Sequence, residues 1–101
     1  MIFEQEILLM NLIDQNKLEI KNWIRIWFLN NSNATENNIE KNLNENYLET
    51  GWIDSLQFVS FISDIENEFK LRFENDEFQN KEFSNINGLA ELIKEKMKSN
   101  V

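Results

Sequence analysis

The 101-residue chain contains no cysteine, no histidine and no proline, and only two glycines, Gly51 and Gly88. Without cysteine there is no disulfide framework, no thiolate nucleophile and no thiolate metal site. Without histidine the commonest general base and the commonest metal ligand are both missing. A self-contained hydrolase or metalloenzyme is therefore not expected, and any sulfur or base chemistry has to come from a cofactor or a partner. The lack of backbone breakers argues for helices and against a sheet with many tight turns.

Basic patches are missing as well. The net charge is −8, and each half carries −4: eight acids and four bases in residues 1–50, ten acids and six bases in 51–101. No basic tail hides inside the acidic average, so binding to a phosphate backbone is disfavoured and basic protein partners are suited instead. The opening Met1-Ile2-Phe3-Glu4-Gln5-Glu6 places acids where a secretory signal needs Lys or Arg. The charge-free apolar stretch Ile7–Ile13 is far short of a membrane span. A cytoplasmic protein is expected, without membrane insertion.

What is present suffices for one small domain. Hydrophobic residues make up 42 % and charged residues 28 %, and a chain of this length buries somewhat over about 60 % of its unfolded surface. Residues 2–14 are apolar at Ile2, Phe3, Ile7, Leu8, Leu9, Met10, Leu12 and Ile13. Leu18, Ile20, Trp23, Ile24, Trp27 and Phe28 continue at helical spacing. Either one helix runs from about 3 to 30 or two meet near Asp14–Asn16, with a bend there favoured. Asn30-Asn31-Ser32-Asn33 is a stop signal. A long connection to Gly51 follows, with a helical turn expected around 36–43 and anchors at Ile39, Leu43, Tyr47 and Leu48. Loops of that length inside a compact domain are usually functional.

Residues 55–69 give the clearest helix. Phe58, Phe61, Ile62, Ile65 and Phe69 fall within one arc of about 100° and form a buried stripe. Leu56, Val59, Ser63, Glu66 and Asn67 share another face. A short helical piece is expected near Asn75–Asn80, then a last helix from about Ile86 to Met97 with Ser84 or Asn85 as N-cap. Its apolar face is Ile86, Leu89, Ala90, Leu92, Ile93 and Met97, and Lys94, Lys96 and Lys98 suit the dipole at its C-terminal end.

The segment Gly51-Trp52-Ile53-Asp54-Ser55-Leu56 opens the 55–69 helix. Ser55 sits where loop becomes helix, with an exposed hydroxyl near free N–H groups and a positive dipole end that favour a phosphate. Asp54 is suited to capping the helix and to helping hold a metal-bound phosphate donor. Asp-Ser before an apolar helix is, taken alone, a common capping signature.

The wider pattern is more specific. Gly-x-Ile-Asp-Ser-Leu, a fifteen-residue helix ending Ile65-Glu66-Asn67-Glu68-Phe69, and the tail Phe83-Ser84-Asn85-Ile86 followed by Leu92-Ile93 together resemble the acyl carrier protein family over residues 17–97. The resemblance implies an all-α four-helix bundle, three main helices and a short third one, with residues 1–16 as an N-terminal helical extension and 17–101 as the carrier domain. It implies that Ser55 carries 4'-phosphopantetheine, installed from coenzyme A with Mg2+ by a phosphopantetheinyl transferase. The arm's thiol would hold an acyl or aminoacyl group as a thioester, loaded by an activating ligase and passed to downstream transferases. That fits a chain with no base or sulfur of its own.

By the same resemblance, Leu56, Val59, Ser63 and Glu66 form the face that partners read; core packing is the alternative for Leu56 and Val59. Trp52 either contacts a partner, shields the arm or packs onto the long connection. Asp64 and Glu68 read as a solvated face. Two departures stand out. Fatty-acid carriers bear acids two and five residues after the serine, where this chain has Gln57 and Ser60. It looks more like stand-alone acyl or aminoacyl carriers that serve an adenylating ligase or a specialised pathway, D-alanyl carriers included. Phe58 replaces a residue that is often small beside the acyl cavity, which points to short or polar cargo kept outside the bundle. An unmodified acidic adaptor that binds a protein partner is the competing function. A calcium-binding loop built on Asp64, Glu66, Glu68, Glu74 and Asp76 fails for want of alternating acids, a central glycine and a terminal glutamate. Residues 1–14 are expected to pack on the bundle, with chain pairing or enzyme docking as alternatives; a monomer is expected.

Overall fold

The computed structural model describes residues 18–99, which contain helices and connections and no strand. Helix α1 occupies residues 18–31, α2 is Glu36–Lys41, α3 is Ser55–Phe69 and α4 is Ile86–Ser99. Two 3-10 turns, Asn75–Gln79 and Lys81–Ser84, join α3 to α4. This is the expected all-α carrier-like bundle. The bounds of α3 coincide with those expected from its stripe. The short piece expected near Asn75–Asn80 is the first 3-10 turn, Asn75–Gln79, and a second turn, Lys81–Ser84, not expected from the sequence, follows it. The expected N-terminal helical segment and its bend near Asp14–Asn16 lie outside the described residues.

The three longer helices each bury one stripe, and α2 buries Ile39. Ile20, Ile24, Trp27 and Phe28 of α1 meet Phe61, Ile62 and Ile65 of α3 and Ile86, Leu89, Ala90 and Ile93 of α4 in one cluster. Aromatic rings fill its centre: Phe28 lies 5.1 Å from Phe61, 5.4 Å from Tyr47 and 5.6 Å from Trp52. Such pairs add to the energy of simple burial.

The asparagine-rich stop after α1 works through its side chains. Asn31 Nδ2 donates to the Trp27 carbonyl (2.9 Å) and Ser32 Oγ to that of Phe28 (2.7 Å), which also accepts from Ser32 N–H (3.0 Å), so side chains fold back onto the last turn. Arg25 bridges α1 to α2 through Glu36 (3.2 Å) and Glu40 (2.7 Å). Thr35 caps α2 by accepting from Asn38 N–H.

The long connection is stapled to the start of α4. Tyr47 N–H donates to the Ser84 carbonyl (3.1 Å) and Asn87 N–H to that of Leu43 (3.1 Å). Asn87 Nδ2 also donates to Asn44 Oδ1 at 2.8 Å. Asn85 is the cap of α4, its Oδ1 accepting from Gly88 N–H at 2.7 Å. Gly88 marks a close approach, because a Cβ there would lie 2.3 Å from the Glu82 carbonyl oxygen of the second 3-10 turn. Lys96 joins α4 to the first 3-10 turn through Glu77 (2.7 Å). Burial alone would raise the Glu77 carboxyl, but hydrogen bonds from Lys96 and from Glu74 N–H, with the Lys96 charge, hold it below its ordinary value.

Candidate functional site

Ser55 is the first residue of α3 and is exposed. The chain that delivers it is fixed on both sides. Gly51 turns the loop with φ +79, a left-handed backbone that glycine adopts without strain. Trp52 and Ile53 then bury their side chains, at 8 % and 4 % exposure. Next, Asp54 caps the helix: its Oδ1 accepts from Gln57 N–H (2.8 Å), while Gln57 Oε1 accepts from Asp54 N–H (3.0 Å). This reciprocal capping box satisfies one of the orphan donors of the first turn. Gln57 Nε2 also donates to the Asn31 carbonyl at 2.9 Å, which ties the start of α3 to the end of α1. Ser55 is thus exposed on a helix end that is capped and hydrogen-bonded to the end of α1.

Among the described residues, the N–H groups of Ser55 and Leu56 have no acceptor. They sit at the positive end of the helix dipole, and the first turn carries no acid. A phosphodiester on the Ser55 oxygen would meet these donors, so the residues present fit a phosphate-linked group. Among the described residues, one oxygen of the exposed Asp54 carboxylate, Oδ1, is engaged, by the cap.

The structure separates the residues expected on the partner face. Leu56 and Val59 are 81 % and 66 % exposed, so they are not core. Ser63 is exposed and joins Glu66, Asn67, Lys70 and Arg72 around a polar groove at the far end of α3. Glu66 is half-buried and its Oε2 accepts from Phe73 N–H at 3.0 Å, holding the chain that leaves the helix. Trp52 requires a correction. It does not stand on the surface or on the connection alone; its ring packs edge-on to Phe28 of α1, because a large indole beside an open core gains more by burial than by exposure. Asp64 requires another. It is not merely a solvated acid, since its Oδ2 accepts from the Trp27 indole N–H at 2.8 Å and so fastens α3 to α1.

Two residues escaped the reading of the sequence as contributors. Gln57 counted only as a missing acid, although Asp54-x-x-Gln57 is the spacing of a capping box. Tyr47 counted only as an anchor. Its hydroxyl donates to the Phe83 carbonyl (2.5 Å), and no local pattern announces a partner 36 residues away.

A four-helix bundle that presents a serine at a capped helix start is the architecture of a carrier domain. The family model described as the phosphopantetheine attachment site matches residues 33–93, and the chain belongs to that family. Its cofactor is therefore 4'-phosphopantetheine, held covalently on a serine, and carrier domains of this kind are generally non-catalytic and work with a phosphopantetheinyl transferase and pathway enzymes. No curated protein and no solved structure matches the chain. Among the described residues no helix is long and apolar enough to cross a membrane, and no group of acids is placed to hold a metal ion.

Proposed function

We propose that Ser55 is the attachment serine and that the chain is a carrier of an acyl or aminoacyl group for partner enzymes of a biosynthetic pathway. The observation that carries this reading is the exposed Ser55 at the first position of a capped helix, with two N–H groups that have no acceptor among the described residues. When bound, the group supplies a terminal thiol on which the cargo is held as a thioester. The protein's own part is to hold the anchoring oxygen outward and to offer N–H donors to the phosphate. Asp54 both starts the helix and leaves one carboxylate oxygen for the metal-bound donor during attachment. The chain acts as substrate and platform, not as an enzyme.

Leu56 and Val59 then form the surface next to the arm on which the transferase, an activating ligase and downstream transferases settle, with Ser63 and the exposed part of Glu66 extending it toward the far end of α3. Trp52 supports this face from inside. A short or polar cargo suits an interior already filled by rings. The acidic charge supports protein partners over nucleic acid, and a monomeric, cytoplasmic chain without membrane insertion is the reading we adopt.

The deciding experiment is the intact mass of the full chain co-expressed with a phosphopantetheinyl transferase. One added arm is expected, retained in Ser60→Ala and Ser63→Ala and absent in Ser55→Ala. An unchanged mass in the presence of active transferase would overturn the reading and leave an unmodified helical adaptor, for which the exposed Leu56 and Val59 would be the binding surface.

A further inference from the structure

The inward face of α3 is blocked directly below Ser55. Phe58 follows Ser55 by one turn and is half-buried. Its ring centre lies 6.3 Å from that of Tyr47 on the side of the long connection. On the side of the 3-10 turns it lies 6.4 Å from Phe78 and 6.1 Å from Phe83. Phe58 therefore spans the gap between two walls, below the residue to which cargo would be tethered. Beyond it stands Phe61, fully buried against Trp27, Phe28 and Tyr47.

The two walls are also latched together. Tyr47 gives its N–H to the Ser84 carbonyl and its hydroxyl to the Phe83 carbonyl. Burial pushes the phenol well above its ordinary pKa, so the donor proton stays in place. Parting the walls by the width of an alkyl chain would break ring contacts and strand a buried carbonyl.

We propose that Phe58 is a specificity-determining residue: its ring, backed by the Tyr47 latch, keeps cargo tethered at Ser55 outside the bundle. This deepens the carrier reading and rests on it. Long alkyl cargo then gains no burial, and short or polar cargo loses nothing. An alkyl chain taken into a protein stabilises the surrounding fold in proportion to the methylenes removed from water, whereas an excluded one does not.

The test uses the full chain bearing the arm, confirmed by intact mass, in unloaded, acetyl and octanoyl forms. For the natural sequence, octanoylation is expected to move Tm by less than about 2 °C. Hydroxylamine should cleave the acetyl and octanoyl thioesters at similar rates. In Phe58→Ala, which vacates the ring's space, octanoylation should raise Tm by more than about 5 °C over that variant's own unloaded form. Cleavage of its octanoyl thioester should slow several-fold. Phe58→Val, a milder truncation, should show smaller shifts of the same sign if Phe58→Ala does not fold. A rise above about 5 °C in the natural sequence overturns the proposal. So does a folded Phe58→Ala or Phe58→Val that responds to octanoylation no more than the natural protein does. Failure to gain the arm at all defeats the carrier reading as well, and is recognised by mass before any melting comparison begins.

Discussion

Helix α3 carries two sets of apolar residues with opposite fates. Phe61 and Ile65 have no exposed surface, whereas Leu56 and Val59 stand 81 % and 66 % exposed. The difference is angular. Phe61 and Ile65 are four residues apart and share the stripe that meets α1 and α4, while Leu56 and Val59 lie on the arc beside Ser55. Composition treats the four alike. Position makes one pair interior and leaves the other pair on the surface. The exposed pair also lies on an uncharged stretch. Between Ser55 and Ser63 there is no acid or base, although the protein as a whole carries −8.

The largest effect should come from breaking the inner pair. Phe61 touches Trp27, Phe28 and Tyr47, so Phe61→Ala removes the ring of α3 on which α1 and the long connection converge. Truncations of fully buried phenylalanine cost about 3–5 kcal/mol. For a domain of this size that is a large share of total stability. Urea denaturation should show the midpoint falling steeply, or the chain unfolded at room temperature. A loss below about 1 kcal/mol would mean that the inner stripe does not fix the helix bearing Ser55.

How much of this was legible follows the same division. The stripe of α3, the core face of α4 and the turn at Glu36–Lys41 were readable because helical periodicity is local and strong over these spans. Ser55 and Asp54 were readable because a cap and a following apolar helix announce a helix start. The tertiary uses of polar and aromatic side chains were not. Asp64 looks like any solvated acid until α1 brings the Trp27 indole to it, 37 residues away. Trp52, with glycine before it and a cap after it, reads as a loop residue, yet the fold places Phe28 within 5.6 Å of its ring. The second 3-10 turn, Lys81–Ser84, forms on an Asn80 side-chain cap and buries a single residue, Phe83, too little for a periodic signal.

A smaller effect separates the two duties of Asp54. Asp54→Ala removes the acceptor for Gln57 N–H and should cost about 1 kcal/mol, within the usual range for a lost N-cap. Asp54→Asn keeps a capping oxygen and should lie within about 0.5 kcal/mol of the natural protein. The two variants part company in the transfer assay. If the carboxylate charge assists attachment of the arm, Asp54→Asn loses transfer rate while its urea midpoint stays put. Equal transfer rates in Asp54→Asn and the natural chain would leave Asp54 as a helix cap alone.

The outer pair should give the smallest effect on stability, and that is what makes it informative. Leu56→Ser and Val59→Ser delete apolar surface that faces water in the free protein, so each should shift stability by no more than about 0.5 kcal/mol. The same changes should slow loading and transfer of cargo, because an apolar partner surface would then meet a hydroxyl. Since no charge lies between Ser55 and Ser63, the affinity lost should vary little with salt, unlike a contact built on ion pairs. Partner kinetics at low and at moderate ionic strength measure both points together. Unaltered kinetics in the double variant would show that partners grip the chain elsewhere. A destabilisation of several kcal/mol would show that Leu56 and Val59 belong with Phe61 and Ile65 after all.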